Sequence, residues 1–128
     1  MVPLLEPVAI TTTVNSIPPM VIGDYHDIKE GSWGGECVLW LKKYLNTKET
    51  APTFRGTAGD IQPTSQTPEV GSIVLLREGA EGHSALVIAM DDTDIYIADS
   101  NYNGDGIIHK GRKIEKGSAR IRGYVVVE

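Results

Sequence analysis

The sole cysteine of this 128-residue chain, Cys37, comes after the glycine pair Gly34-Gly35 and Glu36, and it opens a stretch with helical spacing. Cys37, Trp40, Leu41, Tyr44 and Leu45 recur at intervals of three and four, while Glu36, Lys42 and Lys43 are left to face water. The glycines admit backbone angles closed to other residues and leave little steric cover over the cysteine. A thiol in the first turn of a helix lies beside unpaired N–H groups and the positive end of the helix dipole. Both favour the thiolate, which is the nucleophilic form. The same position also suits a small apolar core residue, the commonest use of a free cysteine. The glycines argue for access, and the helical face argues for burial.

A thiolate that attacks a carbonyl needs a base and a group to orient that base. His83 comes after Gly82 and opens the apolar run "HSALVIAM", residues 83 to 90; Asp99, Ser100 and Asn101 lie at or just beyond the end of the run "DIYIADS", residues 94 to 100. The intervening "DDTD" is a turn, so the two runs read as a hairpin in which the start of one strand lies beside the end of the next. That places His83 near Asp99 and Asn101 at one edge of a sheet. A helix laid across the sheet with its N-terminus at this edge adds Cys37 to them. Each part also has a plainer reading. A histidine at a strand start is often only a half-buried residue, and "DSNYNGDG" is a good turn in its own right.

The elements that must position these residues are set by the remaining patterns. "GSIVLLRE", "GIIHKGRKI" and "RIRGYVVVE" supply further strands, giving the order helix, long loop, then four or five consecutive strands. The expected fold is α+β, with a helix over residues 36 to 45 covering the single apolar face of a four- to six-stranded antiparallel meander. Residues 1 to 23 carry four prolines and a threonine run and read as an extended arm, with Val21 and Ile22 as a tack, ahead of one domain over residues 24 to 128. Asn46 and Pro52 end the helix. Residues 54 to 68 show neither period, which makes them a functional loop or a short helix.

Composition narrows the function classes. Apolar residues make up 41% and charged residues 23%, the balance of an ordinary globular domain, and no apolar run reaches the roughly 18 residues of a spanning helix. One cysteine excludes an internal disulfide and argues against a cysteine-ligated structural zinc. The net charge of −5 argues against nucleic acid as a partner. Within that average, Lys110, Arg112, Lys113, Lys116, Arg120 and Arg122 form a basic stretch opposed only by Glu115, either a hold for an anionic polymer or the solvated face of a hairpin. Asp24, His26, Asp27 and Glu30 leave room for a structural calcium loop, though their spacing fits no motif that demands one, and no other metal is expected. The N-terminus lacks a basic segment and carries Glu6, which makes a poor signal peptide; the expectation is cytoplasmic synthesis without one.

Taken together, five stretches resemble the CHAP domain, the cysteine- and histidine-dependent amidohydrolase/peptidase family of the papain-like cell-wall hydrolases. They are "GGECVLWLKKYL", "RGTAGDI", "TPEVGSIVLL", "EGHSALVIAM" and "YIADSNYNGDGII", in the family's order, spanning roughly residues 31 to 108, with "IRGYVVV" as a closing strand. The resemblance implies a papain-like fold and a role for each matched residue. Cys37 would attack the scissile amide, His83 would move the proton, and Asp99 or Asn101 would orient the imidazole. Trp33, Glu36 and Tyr102 would flank the substrate, while Trp40 reads as core.

The chain departs from the family pattern at Glu36, where glutamine is usual, and it lacks a tryptophan often found near Ile61. A carboxylate at position 36 facing the site would oppose both thiolate and oxyanion. The implied activity is hydrolysis of an amide bond in bacterial peptidoglycan, as an N-acetylmuramoyl-L-alanine amidase or a stem-peptide or cross-bridge endopeptidase. Similar proteins include phage and bacterial lysins that work with a separate wall-binding module or in a larger assembly. The alternative is a non-catalytic CHAP-like module that binds wall peptide through the same cleft.

Overall fold

The computed structural model describes residues 20–48 and 57–127. Most of the expected N-terminal arm, residues 1 to 19, lies outside them, as do Pro52 and the Arg55-Gly56 start of "RGTAGDI". Among the described residues the order is β1 (Val21–Ile22), α1 (Cys37–Thr47), a single 3-10 turn (Ala58–Asp60), β2 (Ile73–Leu76), β3 (His83–Met90), β4 (Asp94–Ser100), β5 (Ile108–Glu115) and β6 (Ile121–Val125). The strands form one antiparallel sheet in the order β5-β4-β3-β2-β6, with β1 paired to the far end of β3. This is an α+β domain, and Val21–Ile22 joins its sheet. The aperiodic segment before β2 contains the 3-10 turn.

Helix α1 begins at Cys37 because Glu36 acts as its N-cap, with extended backbone and a carboxylate that accepts from the Leu39 N–H at 3.1 Å. It buries Cys37, Val38, Trp40, Leu41 and Leu45 and exposes Leu39. Burying each large aliphatic side chain contributes roughly 1.5–3 kcal/mol, against about 1 kcal/mol for a cap, so packing dominates the hold on the helix while the cap fixes where it starts. The helix runs two residues beyond the expected Leu45 and closes with the Lys48 N–H on the Leu45 carbonyl.

The sheet is apolar on two faces rather than the expected one. Ile73, Leu75, Leu86, Ala98 and Ile108 pack with α1, whereas Val74, Leu76, Ala85, Val87, Ile95, Ile97, Ile114 and Tyr124 form a second buried cluster. Among the described residues no helix covers that second face. Its buried side chains run across all five strands of the β5-β4-β3-β2-β6 order, from Ile114 on edge strand β5 to Tyr124 on edge strand β6. Register shifts interrupt the β2–β6, β3–β4 and β4–β5 pairs, where a bulge bends a strand locally. With a buried cluster on each face, β2, "IVLL", is buried along its whole length and shows no alternation in its sequence.

Candidate active site

One end of the sheet brings Cys37, His83 and Asp99 together. Strand alternation puts His83 on the face of Ala85 and Val87, and puts Asp99 on the face of Ile95 and Ile97. Both residues therefore project from the face opposite the one packed on α1, at the end of the β3–β4 pair where the helix start lies, and His83 Nε2 lies 2.8 Å from Asp99 Oδ2. With Nε2 engaged, Nδ1 is the nitrogen left to serve Cys37. His83 is 4% exposed, Asp99 0% and Cys37 8%, so all three interact in a medium where charge is poorly screened.

Two glycine features deliver Cys37 to this point. Gly34 presses on Ser100 and Ile108, where any Cβ would collide, and Gly35 takes a positive φ of 79°. The Ser100 hydroxyl donates to the Gly35 carbonyl at 2.6 Å, and the N–H groups of Gly34 and Gly35 both donate to the Gly106 carbonyl. The approach to the helix is thus tied to the end of β4 and to the turn beyond it. The Leu39 and Trp40 N–H groups are taken by the Glu36 side chain and carbonyl. The N–H groups of Cys37 and Val38, in the first turn, have no intrahelical acceptor.

The electrostatics match the geometry. Burial alone would push the Cys37 thiol up, but the neighbouring His83, through hydrogen bonding and charge, and Ser84 beside it outweigh that cost and bring the thiol below its ordinary range. Burial works against the His83 imidazolium, yet Asp99 and Cys37 raise its pKa to about 9. Asp99 is likewise held below the usual carboxylate range, since His83 and Arg112 overcome the cost of its burial. Each shift favours the charged form of its group, the thiolate of Cys37 and the imidazolium of His83. The Ser84 hydroxyl is fully buried with no hydrogen-bond partner of its own.

The two candidate orienting residues have different positions. Asp99 contacts the imidazole. Asn101 stands at φ 70°, and its Oδ1 accepts from the Gly106 N–H at 2.7 Å, so its side chain shapes the turn after β4. Among the candidate substrate contacts, Tyr102 lies beside the site with its ring centroid 6.1 Å from that of His83. Trp33 is 76% exposed and covers Gly106, where a side chain would strike the indole. Glu36 spends its carboxylate on the helix cap, which supports the helix start that presents Cys37. Trp40 is buried and stacks on Tyr44.

Two cavities adjoin the site. One of about 360 Å³ is lined by Glu30, Tyr102, Asn103, His109, Lys110 and Arg112. The other, about 630 Å³, lies among Thr57, Asp60, Arg77, Glu81, Gly82 and Arg122, with Gly82 directly preceding His83.

Part of the basic stretch is engaged within the chain, while Lys113 and Arg120 are exposed. Arg112 pairs with Glu78 and Asp99, and Arg120 also pairs with Glu78. Arg122 donates to the Ala58 and Ile61 carbonyls, and Lys110 to that of Ile28. In the candidate calcium loop Asp24 pairs with His26, while Asp27 accepts from Tyr44 and pairs with Lys48. Among the described residues no group of three or more histidine, cysteine, aspartate or glutamate side chains comes together to hold a metal, and no helix is long and apolar enough to cross a membrane. Sequence reasoning did not identify Ser84, Glu78 or Arg112 as part of the site. No family model matches the chain, and no solved structure matches it.

Proposed function

We propose that this protein is a cysteine-dependent amide hydrolase of the papain-like CHAP type that acts on bacterial peptidoglycan. The observation that carries the reading is the buried file of Cys37, His83 and Asp99, with His83 Nε2 held 2.8 Å from Asp99 Oδ2 and Nδ1 left for the thiol. A stabilising core has no need of a buried ion pair at a glycine-lined helix start, whereas thiol catalysis does. In the reaction the Cys37 thiolate attacks the amide carbonyl carbon. The Cys37 N–H at the helix start helps hold the oxyanion, and the His83 imidazolium gives its proton to the departing amine. Water, deprotonated by the neutral imidazole, then attacks the thioester; the acid product leaves, and the thiolate and imidazolium are restored. Asp99 fixes the ring through both halves of the cycle.

Peptidoglycan as the substrate rests on the resemblance of five ordered stretches to wall hydrolases, and both amidase and endopeptidase chemistry fit the same machinery. The mechanism is tested by the rate of Cys37 alkylation as a function of pH. In the wild type the thiolate forms well below the reference of about 8.5. In His83→Ala the profile moves upward past the wild-type midpoint, because the opposing charge is lost and burial, which raises the thiol pKa, remains. A profile typical of a free thiol in both proteins would overturn the catalytic reading and favour a binding module.

A further inference from the structure

Asp99 serves two cations with one oxygen. Its Oδ2 lies 2.8 Å from His83 Nε2 and 2.7 Å from Arg112 Nη2, while Oδ1 has no partner. Arg112 is itself held from two further directions. Glu78 grips it bidentately, at 2.9 Å to Nη1 and 3.0 Å to Nη2, and the Tyr102 ring lies 3.7 Å from its guanidinium carbon. That ring also neighbours His83. The guanidinium plane therefore fixes both the carboxylate behind the imidazole and the aromatic ring beside it.

We propose that Arg112 is a positioning residue of the Cys37 site, clamped by Glu78 so that it holds Asp99 and Tyr102 against His83. This rests on the thiol-hydrolase reading and adds to it a residue that touches neither substrate nor sulfur. Arginine stays charged throughout the working pH range, so Asp99 keeps a cationic partner when His83 is neutral. Without Arg112, each deprotonation of His83 would leave a fully buried carboxylate unpaired, which is costly. The imidazole would then hold its proton too tightly to pass it on. Glu78 works in the opposite sense: by sharing the guanidinium charge it limits how far Arg112 draws Asp99 away from His83. The groups facing His83 are Cys37 from α1, Asp99 from β4 and Tyr102 from the turn after β4. Behind them stand Arg112 and His109 from β5, Glu78 after β2 and Arg120 before β6.

The test is NMR titration of the His83 ring in the free protein, with its signal identified by its loss in His83→Gln. Arg112→Met is expected to raise the His83 midpoint by roughly one unit or more, and Arg112→Lys to return it most of the way by restoring the charge. Glu78→Gln is expected to lower the midpoint. A purely structural role for this ion pair gives no such opposition of sign. An unmoved midpoint in folded Arg112→Met, or shifts in the same direction in Arg112→Met and Glu78→Gln, would overturn the proposal. If Arg112→Met does not fold, Glu78→Gln decides alone, and a midpoint unchanged or raised there counts against it. The titration uses no substrate. A wild-type Cys37 alkylation profile like that of a free thiol would remove the hydrolase reading, whereas unmoved His83 midpoints beside an activated Cys37 would remove only the role of Arg112.

Discussion

His83→Ala is expected to lower hydrolysis by about 10³-fold or more, because one ring acts as both acid and base. The loss divides into two parts. Without the imidazolium, Cys37 keeps the burial that disfavours its thiolate and loses the charge that favoured it, so less of the nucleophile is present at neutral pH. Without the proton carrier, the amine leaves unprotonated, which is the harder route for an amide. The fold is expected to survive, because Asp99 keeps Arg112 as a partner at 2.7 Å and is not left as an isolated buried charge. Circular dichroism with a steady-state assay on wall fragments checks both halves of this expectation. Equal activity in His83→Ala would contradict the assignment of the base.

Asp99→Asn and Asn101→Ala are expected to separate sharply. Asp99→Asn keeps the shape of the side chain but removes the charge that stabilises the imidazolium, and its amide can present an N–H to the ring nitrogen and force the wrong tautomer. A loss of about 10²–10⁴ in kcat is expected, on the scale seen when the third group of a catalytic triad is neutralised. The His83 pKa should fall from its raised value, since Asp99 is the foremost group raising it. Asn101→Ala instead loses the hydrogen bond to Gly106 and places a less tolerant residue at φ 70°. That change is expected to cost about 1–2 kcal/mol of stability with a change in kcat of less than about tenfold. The reverse ordering in rate would hand the orienting role to Asn101.

Much of this arrangement was legible in the residue order. The helix begins within one residue of where the Cys37 spacing places it, and β3 and β4 have the bounds of their apolar runs. Hairpin geometry then brings His83 beside Asp99 without further information. Asn101 is equally close in sequence, and only the backbone excludes it: at φ 70° its side chain turns to Gly106 instead of the imidazole. The second apolar face was hidden because β2 is buried on both sides, and a continuous apolar run carries no period.

Arg112 was hidden for a different reason. Gly111 sits at φ 95° in a register shift, where Ile97 opposes Arg112 but Ala98 opposes Lys110, so alternation read along "HKGRK" does not say which cation faces inward. Its partner Glu78 lies 34 residues earlier, beyond any local pattern. The charge of Glu36 was visible, but its use was not. The carboxylate that would have opposed a thiolate is committed to the Leu39 N–H.

The claim that Cys37 is the nucleophile of a wall hydrolase is tested most directly by digestion. Purified peptidoglycan of several peptide chemistries is incubated with the wild type and with Cys37→Ala, and the soluble products are analysed by mass. The Cys37 mechanism predicts new amide-derived termini from the wild type alone, at the muramoyl–alanine bond for an amidase or within the peptides for an endopeptidase. A folded wild-type protein that binds these walls yet releases nothing from any of them, or a Cys37→Ala protein that releases the same products, would contradict it.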